Sequence, residues 1–291
     1  MALSRFLQLH NSYYHGTSSS SFPKTAANLA LSSLIPHFSP SLPSFSRSCT
    51  ASGVPAAQLA SDHHHHQHLT SPELVALEYA DLNLSYKLVP AQAPDWNQVF
   101  GDPTLPLTVD IGCGSGRLLL WLAKQNPDVR NYLGLEIRQK LVKRAEVWAK
   151  DLSLNNIHFL FANATISFKQ LVTSYPGPLM FVSILCPDPH FKKRHHKRRV
   201  LQKPLVDAII DTLMPDGQVL IQSDVLEVAL DMRNQFDEVE ALKHMDAVNP
   251  TLLCDSEGWL LSNPMGIRTE REIHAELEGS RIYRRMYLKQ I

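Results

Sequence analysis

The stretch Val109-Asp110-Ile111-Gly112-Cys113-Gly114-Ser115-Gly116-Arg117 decides how the rest of this chain is read. It closes an apolar run that begins at Leu107 and passes directly into Leu118-Leu119-Leu120. The pattern predicts a strand over Leu107–Ile111, a sharp glycine turn, and a helix over Arg117–Gln125. Glycines let the backbone bend tightly and approach a ligand, and a helix starting right after the turn points free N–H groups at it.

Working outward, strand-like runs appear at Asn131–Glu136, Ile157–Phe161, Leu179–Leu185, Gln218–Ser223 and finally Arg281–Leu288. Helical patterns fill Gln139–Leu152, Lys203–Leu213 and Leu226–Phe236. Short strands alternating with helices predict a mostly parallel α/β sheet, doubly wound with helices on both faces.

Glu136 ends the second predicted strand, where a carboxylate can accept the two ribose hydroxyls of an adenosine. A dinucleotide fingerprint would be GxGxxG with a pyrophosphate above it. Here the spacing is GxGxG through Gly112, Gly114 and Gly116, and Asp110 stands just before the loop. A carboxylate there repels a pyrophosphate and suits the ammonium and sulfonium of S-adenosylmethionine. The methyl donor is therefore the expected cofactor. Asn163-Ala164 follows the third strand, where the amide either reads an adenine edge or serves as a turn asparagine.

The fourth strand runs into Leu185-Cys186-Pro187-Asp188-Pro189-His190-Phe191-Lys192-Lys193-Arg194-His195-His196-Lys197-Arg198-Arg199. Two prolines stiffen the backbone around Asp188. The dense basic run beyond them, next to a ligand pocket, reads as a grip on phosphates.

With Ser223-Asp224 and Thr269-Glu270-Arg271-Glu272 in the same order behind Asp110-Ile111-Gly112 and Gly134-Leu135-Glu136-Ile137-Arg138, this stretch resembles the tRNA (guanine-N7-)-methyltransferase family. The resemblance covers roughly Leu107 to Leu288. It implies a Rossmann-like class I methyltransferase fold with a seven-stranded sheet, and methylation of the variable-loop guanosine of tRNA. Gly112, Glu136, Arg138, Asn163, Ala164 and Leu185 would line the cofactor pocket, and Asp188 would be catalytic. Lys192, Asp224 and the run Thr269, Glu270, Arg271 and Glu272 would face the substrate. Bacterial members commonly carry Glu where Asp110 stands and often Asp where Asn163 stands. The rival readings are a methyltransferase of other specificity, which would not need the basic run, and a non-catalytic RNA-binding subunit.

The 28 Lys and Arg residues balance 28 Asp and Glu, so bulk charge points to no partner. No apolar run is long enough to span a membrane. Cys49, Cys113, Cys186 and Cys254 form no CxxC pair, which argues against structural zinc or a disulfide scaffold, and no metal site is expected. From Met1 to Ser61 there is no Asp or Glu, serines are abundant, and Arg5, Lys24 and Arg47 supply sparse positive charge. Such a segment reads as a disordered organellar address. Scarce arginine favours the chloroplast over the mitochondrion, and an untargeted tail on a cytoplasmic protein is the alternative. His63 to His66 with His68 reads as a low-complexity linker. The expected division is therefore 1–70 for address and linker and 71–291 for the methyltransferase domain, with a capped helix starting at Ser71-Pro72-Glu73. Some eukaryotic relatives act with a β-propeller partner. A plastid address favours a chain that acts alone, as a monomer.

Overall fold

The computed structural model describes residues 89–290, all within a compact unit spanning His66–Ile291. The expected address, histidine linker and Ser71 helix start lie outside the described residues. The elements run α1 (Trp96–Val99), β1 (Leu107–Ile111), α2 (Arg117–Gln125), β2 (Asn131–Glu136), α3 (Gln139–Asp151) and β3 (Ile157–Phe161). They continue with α4 (Ala164–Thr173), β4 (Leu179–Leu185), a 3-10 turn (Lys193–Arg198), α5 (Lys203–Thr212), β5 (Leu213–Ser223) and α6 (Leu226–Asp237). Last come β6 (Leu242–His244), α7 (Met245–Val248), α8 (Glu270–Leu277) and β7 (Tyr283–Lys289).

One seven-stranded sheet holds the strands in the order β3-β2-β1-β4-β5-β7-β6. The first five are parallel; β7 runs antiparallel between β5 and β6. Residues of β1 and β2 are buried throughout, as expected of strands covered on both faces. On one face α4, α5 and α6 pack Phe168, Leu171, Leu205, Ile209, Met232 and Phe236 against Val109, Ile111 and Val182. On the other, Leu119, Leu122, Val142 and Ala145 of α2 and α3 pack on Tyr132, Ile157 and Phe159. The sheet is thus doubly wound with helices on both faces.

The chain leaves β1 toward β2 and β3, then returns to lay β4 on the other side of β1. That reversal opens a crevice at the carboxyl ends of β1 and β4, the usual ligand position in open α/β sheets. Register sets the neighbours: Ile111 pairs with Ile184, so the glycine turn after β1 and the acidic turn after β4 emerge side by side.

Several elements differ from expectation. Strand β5 begins at Leu213, before the expected Gln218, because Leu213 pairs with Leu179 across a register shift. Helix α4, strand β6 and helix α8 were not anticipated, and the last strand starts at Tyr283, after Arg281.

Candidate active site

Gly116 caps α2 in the left-handed region at φ 76°, with no side-chain hydrogen bond to the first turn. A Cβ there would meet the Phe159 ring at 2.6 Å and Ala145 at 2.9 Å, so this glycine lets the loop lie against β3 and α3. Gly112 and Gly114 also have positive φ, but a Cβ on either would meet nothing within 4 Å. The glycine loop therefore borders open space on the ligand side.

Two buried carboxylates flank that space. Glu136, 3 % exposed, accepts the Gly114 N–H at 2.9 Å through Oε2. Its Oε1 accepts the backbone N–H of Arg138 at 2.9 Å and the Arg138 Nε at 3.1 Å. A carboxylate offers about four lone-pair sites, so Glu136 keeps capacity for a diol while fixing the loop to the end of β2. Asp110, 4 % exposed, accepts the Ser183 hydroxyl at 2.7 Å. Burial pushes its carboxyl up to about 6; the Ser183 bond opposes the shift and the Glu136 charge adds to it. Ionised, Asp110 calls for a cation above it. Burial also pushes the neighbouring Cys113 thiol well up, so it is an inert neutral group. Asn163 caps α4, accepting the Thr165 N–H at 3.1 Å, and Ala164 is buried behind it. An open cradle over glycines, a ribose-type acid and a buried acid suited to a cation fit S-adenosylmethionine.

At the exit of β4, half-buried Leu185 leads to Cys186, whose φ is 49° and whose N–H donates to Gln222 O at 2.7 Å. The chain then turns through Pro187-Asp188-Pro189. Asp188 Oδ1 accepts the His190 N–H at 3.1 Å, an Asx turn that orients the carboxylate while 58 % of the side chain stays exposed.

The basic run winds into the 3-10 turn. Lys192, Lys193, Arg194, Lys197 and Arg198 are exposed and enter no ion pair among the described residues. Slight desolvation and the charges of Arg198, Arg194 and Lys192 lower the His195 imidazole. Phe191, 68 % exposed beside these cations, is an aromatic face that the sequence reading passed over.

Arg199 is a correction. Expected to grip phosphate, it is only 6 % exposed and is neutralised by Glu227 Oε1 at 2.7 Å and Asp231 Oδ2 at 3.1 Å of α6. Its charge is already committed inside the protein.

Glu272 is a second correction. Thr269 and Glu272 form a capping box: the Thr269 hydroxyl accepts the Glu272 N–H at 3.1 Å, and the Glu272 side chain accepts the Thr269 N–H at 3.3 Å. Glu272 is 1 % exposed, pairs with Arg284, and accepts Gln222 Nε2 at 3.3 Å and Asn263 Nδ2 at 3.0 Å. No surface of it is left for a substrate. Glu270 turns to the glycine loop, accepting Ser115 Oγ and Arg117 Nη1, each at 2.5 Å. Asp224 is held by Arg271 at 2.5 Å. Helix α8 thus braces the crevice from its rim. Ser183, Gln222 and Arg284 were missed; only strand register reveals them.

Among the described residues, no group of three or more His, Cys, Asp or Glu could hold a metal ion, and no helix is long and apolar enough to cross a membrane.

The family model described as "Putative methyltransferase" matches residues 104–285. A tRNA (guanine-N(7)-)-methyltransferase of Synechococcus sp. strain JA-2-3B'a(2-13) is 48% identical over 183 residues, covering 63% of this chain and 71% of that protein. The protein of the same name from Synechocystis sp. strain PCC 6803 is 45% identical over 192 residues, covering 66% of this chain and 86% of its own. Among solved structures, an rRNA methylase from Streptococcus thermophilus superposes with a TM-score of 0.40 at 13% identity, over 67% of this chain and 91% of its own. That likeness is too loose to add to the topology described above. The family match over residues 104–285 takes in the glycine loop and the acidic turn alike, and the chain belongs to the tRNA (guanine-N(7)-)-methyltransferase family.

Proposed function

We propose that the crevice transfers a methyl group from S-adenosylmethionine to N7 of a guanosine in tRNA, the variable-loop guanosine being the target. The observation that carries this is the pairing of strands β1 and β4. It sets a methyl-donor cradle beside a proline-flanked carboxylate, with a fringe of exposed cations next to it.

When bound, the cofactor supplies an electrophilic methyl on a cationic sulfur. Asp110 and Glu136 would hold its positive and ribose ends, and Arg138, Asn163, Ala164 and Leu185 would border the same pocket. Guanine N7 has an in-plane lone pair and no proton, so the chain needs no general base here. Its tasks are alignment and tolerance of the positive charge appearing on the purine. Asp188 accepts hydrogen bonds from guanine N1–H and the exocyclic amine, and its charge favours the purinium cation. Lys192, Lys197 and Arg198 hold the RNA backbone, and Phe191 offers a ring on which a base can stack.

Incubation of the protein with total tRNA and labelled cofactor, followed by nucleoside analysis, tests the reading. The expected product is 7-methylguanosine; any other methylated nucleoside, or none, defeats it. In Asp188→Asn, turnover should fall on the order of 100–1,000-fold with little change in the Michaelis constant for tRNA. Unchanged turnover would remove Asp188 from the chemistry.

The same proposal extends to place and form. The acid-free, serine-rich segment up to Ser61 supports a plastid address ahead of a domain spanning 71–291. Such an address favours a monomer working without a β-propeller subunit.

A further inference from the structure

Arg199 stands at the end of a run of cations, yet its environment is that of a structural core. Its guanidinium spends its donors on three separate places: Nε donates to Pro189 O at 3.0 Å, Nη1 to Asp231 at 3.1 Å and Nη2 to Glu227 at 2.7 Å. Its backbone N–H closes the 3-10 turn on His196 O at 2.9 Å. Pro189 adjoins Asp188, and Glu227 and Asp231 lie one turn apart on α6, which packs on the sheet. The planar fork of an arginine can satisfy such divergent acceptors at once, whereas an ammonium cannot hold them in that geometry.

We propose that Arg199 is a positioning residue for the methyl transfer: it ties the acidic turn to α6 and so sets where Asp188 stands over the crevice. A phosphate approaching Arg199 would have to displace two carboxylates from a 6 % exposed group, whereas Lys197 and Arg198 beside it are open. The run therefore divides its labour. Five exposed cations face the RNA, and the buried one ties down the acidic turn that carries Asp188. This inference rests on the role given to Asp188 above.

The test uses the full-length chain, with Arg199→Gln, the double variant Glu227→Gln/Asp231→Asn, and Asp188→Ala. Steady-state kinetics are read together with tRNA binding over a range of salt, and cofactor binding by calorimetry reports that the pocket is folded. The expected result is a fall in kcat on the order of 100-fold in Arg199→Gln and in the double variant, as for a catalytic group displaced by about 1 Å. The tRNA Michaelis constant, the salt slope and the cofactor affinity should stay as in the parent.

The inference is overturned if Arg199→Gln keeps its kcat and instead lowers the log–log salt slope by about 0.9, the mark of one lost duplex phosphate contact. It is equally overturned if freeing Arg199 in the double variant tightens tRNA binding without loss of kcat. Should Arg199→Gln not fold, the double variant decides, because it keeps the guanidinium and alters only two partly exposed acids. If Asp188→Ala retains turnover, the Asp188 role falls and takes this inference with it. If Asp188→Ala is inactive while both other variants turn over normally, the positioning role falls alone.

Discussion

The glycine loop and the basic loop emerge from adjacent strands and serve the same crevice, yet they handle charge in opposite ways. The two acids beneath the glycine loop are buried: Asp110 and Glu136 are 4 % and 3 % exposed. Each is held by short hydrogen bonds, so each acts through an exact place. On the basic loop the charges are many, cationic and mostly in water, where single contacts contribute little and their sum sets affinity. Arg199 is the exception that belongs to the first regime while lying in the second. A residue's sequence neighbours therefore predict the sign of its charge better than its use.

The contrast is broken most severely at Glu136. Replacing it with Ala removes the acceptor for Gly114 and Arg138 N–H groups, and hydrogen bonds to charged groups contribute about 1.5–3 kcal/mol each. Cofactor affinity measured by calorimetry should fall on the order of 100-fold, while the salt slope of tRNA binding stays put. A drop in both would mean the two loops are not separable.

Gly116→Ala comes next. The new methyl would sit 2.6 Å from the Phe159 ring at a φ of 76°, so overpacking and strain should cost about 1–3 kcal/mol in a denaturant titration. An unchanged midpoint would show that the loop is looser than its packing implies.

Asp110 sharpens the comparison through pH. Its folded carboxyl is raised to about 6 from 3.8, so the folded state binds the extra proton between those values. Ionisation therefore works against folding: stability without cofactor falls as pH rises from about 4 to 6, by on the order of 2–3 kcal/mol. Binding of a cationic cofactor should show the reverse trend, weakening about tenfold as pH falls from 7 to 5. Asp110→Asn should flatten both profiles; a profile unaltered by that change would assign the titration elsewhere.

The smallest effect is expected from the exposed cations. Lys197→Gln and Arg198→Gln should each lower the salt slope by about 0.9 and leave thermal stability within about 0.5 kcal/mol. A loss of stability would place them with Arg199.

Much of this was legible beforehand. The first four strands, read from β-type apolar runs, coincide with β1 to β4, because apolar side chains recur through each of these short segments. Helix α4 escaped because Thr165, Ile166, Ser167, Val172 and Thr173 are poor helix formers, and packing of Phe168 and Leu171 overrides them. The start of β5 escaped because Met214-Pro215-Asp216-Gly217 looks like a turn. In the site, the family resemblance gave Thr269 and Glu272 a substrate role, while their spacing also spells a helix start, and Glu272 is buried in that cap. The commitment of Arg199 to α6 depends on residues 28 and 32 positions away, a distance no local pattern reports.

Strand β7 carries one more implication. It sits between β5 and β6, so β6 has no strand partner until β7 has arrived. Arg284 on β7 is also the cation that Glu272 needs, and through Glu272 it secures the start of α8. The residues that form the cradle for the methyl donor, from Asp110 through Ser183 and Leu185 on β4, leave the ribosome before β7 does. The rim of the crevice gains its Arg284 only once the final strand threads home, so a chain shortened before β7 is expected to lack activity.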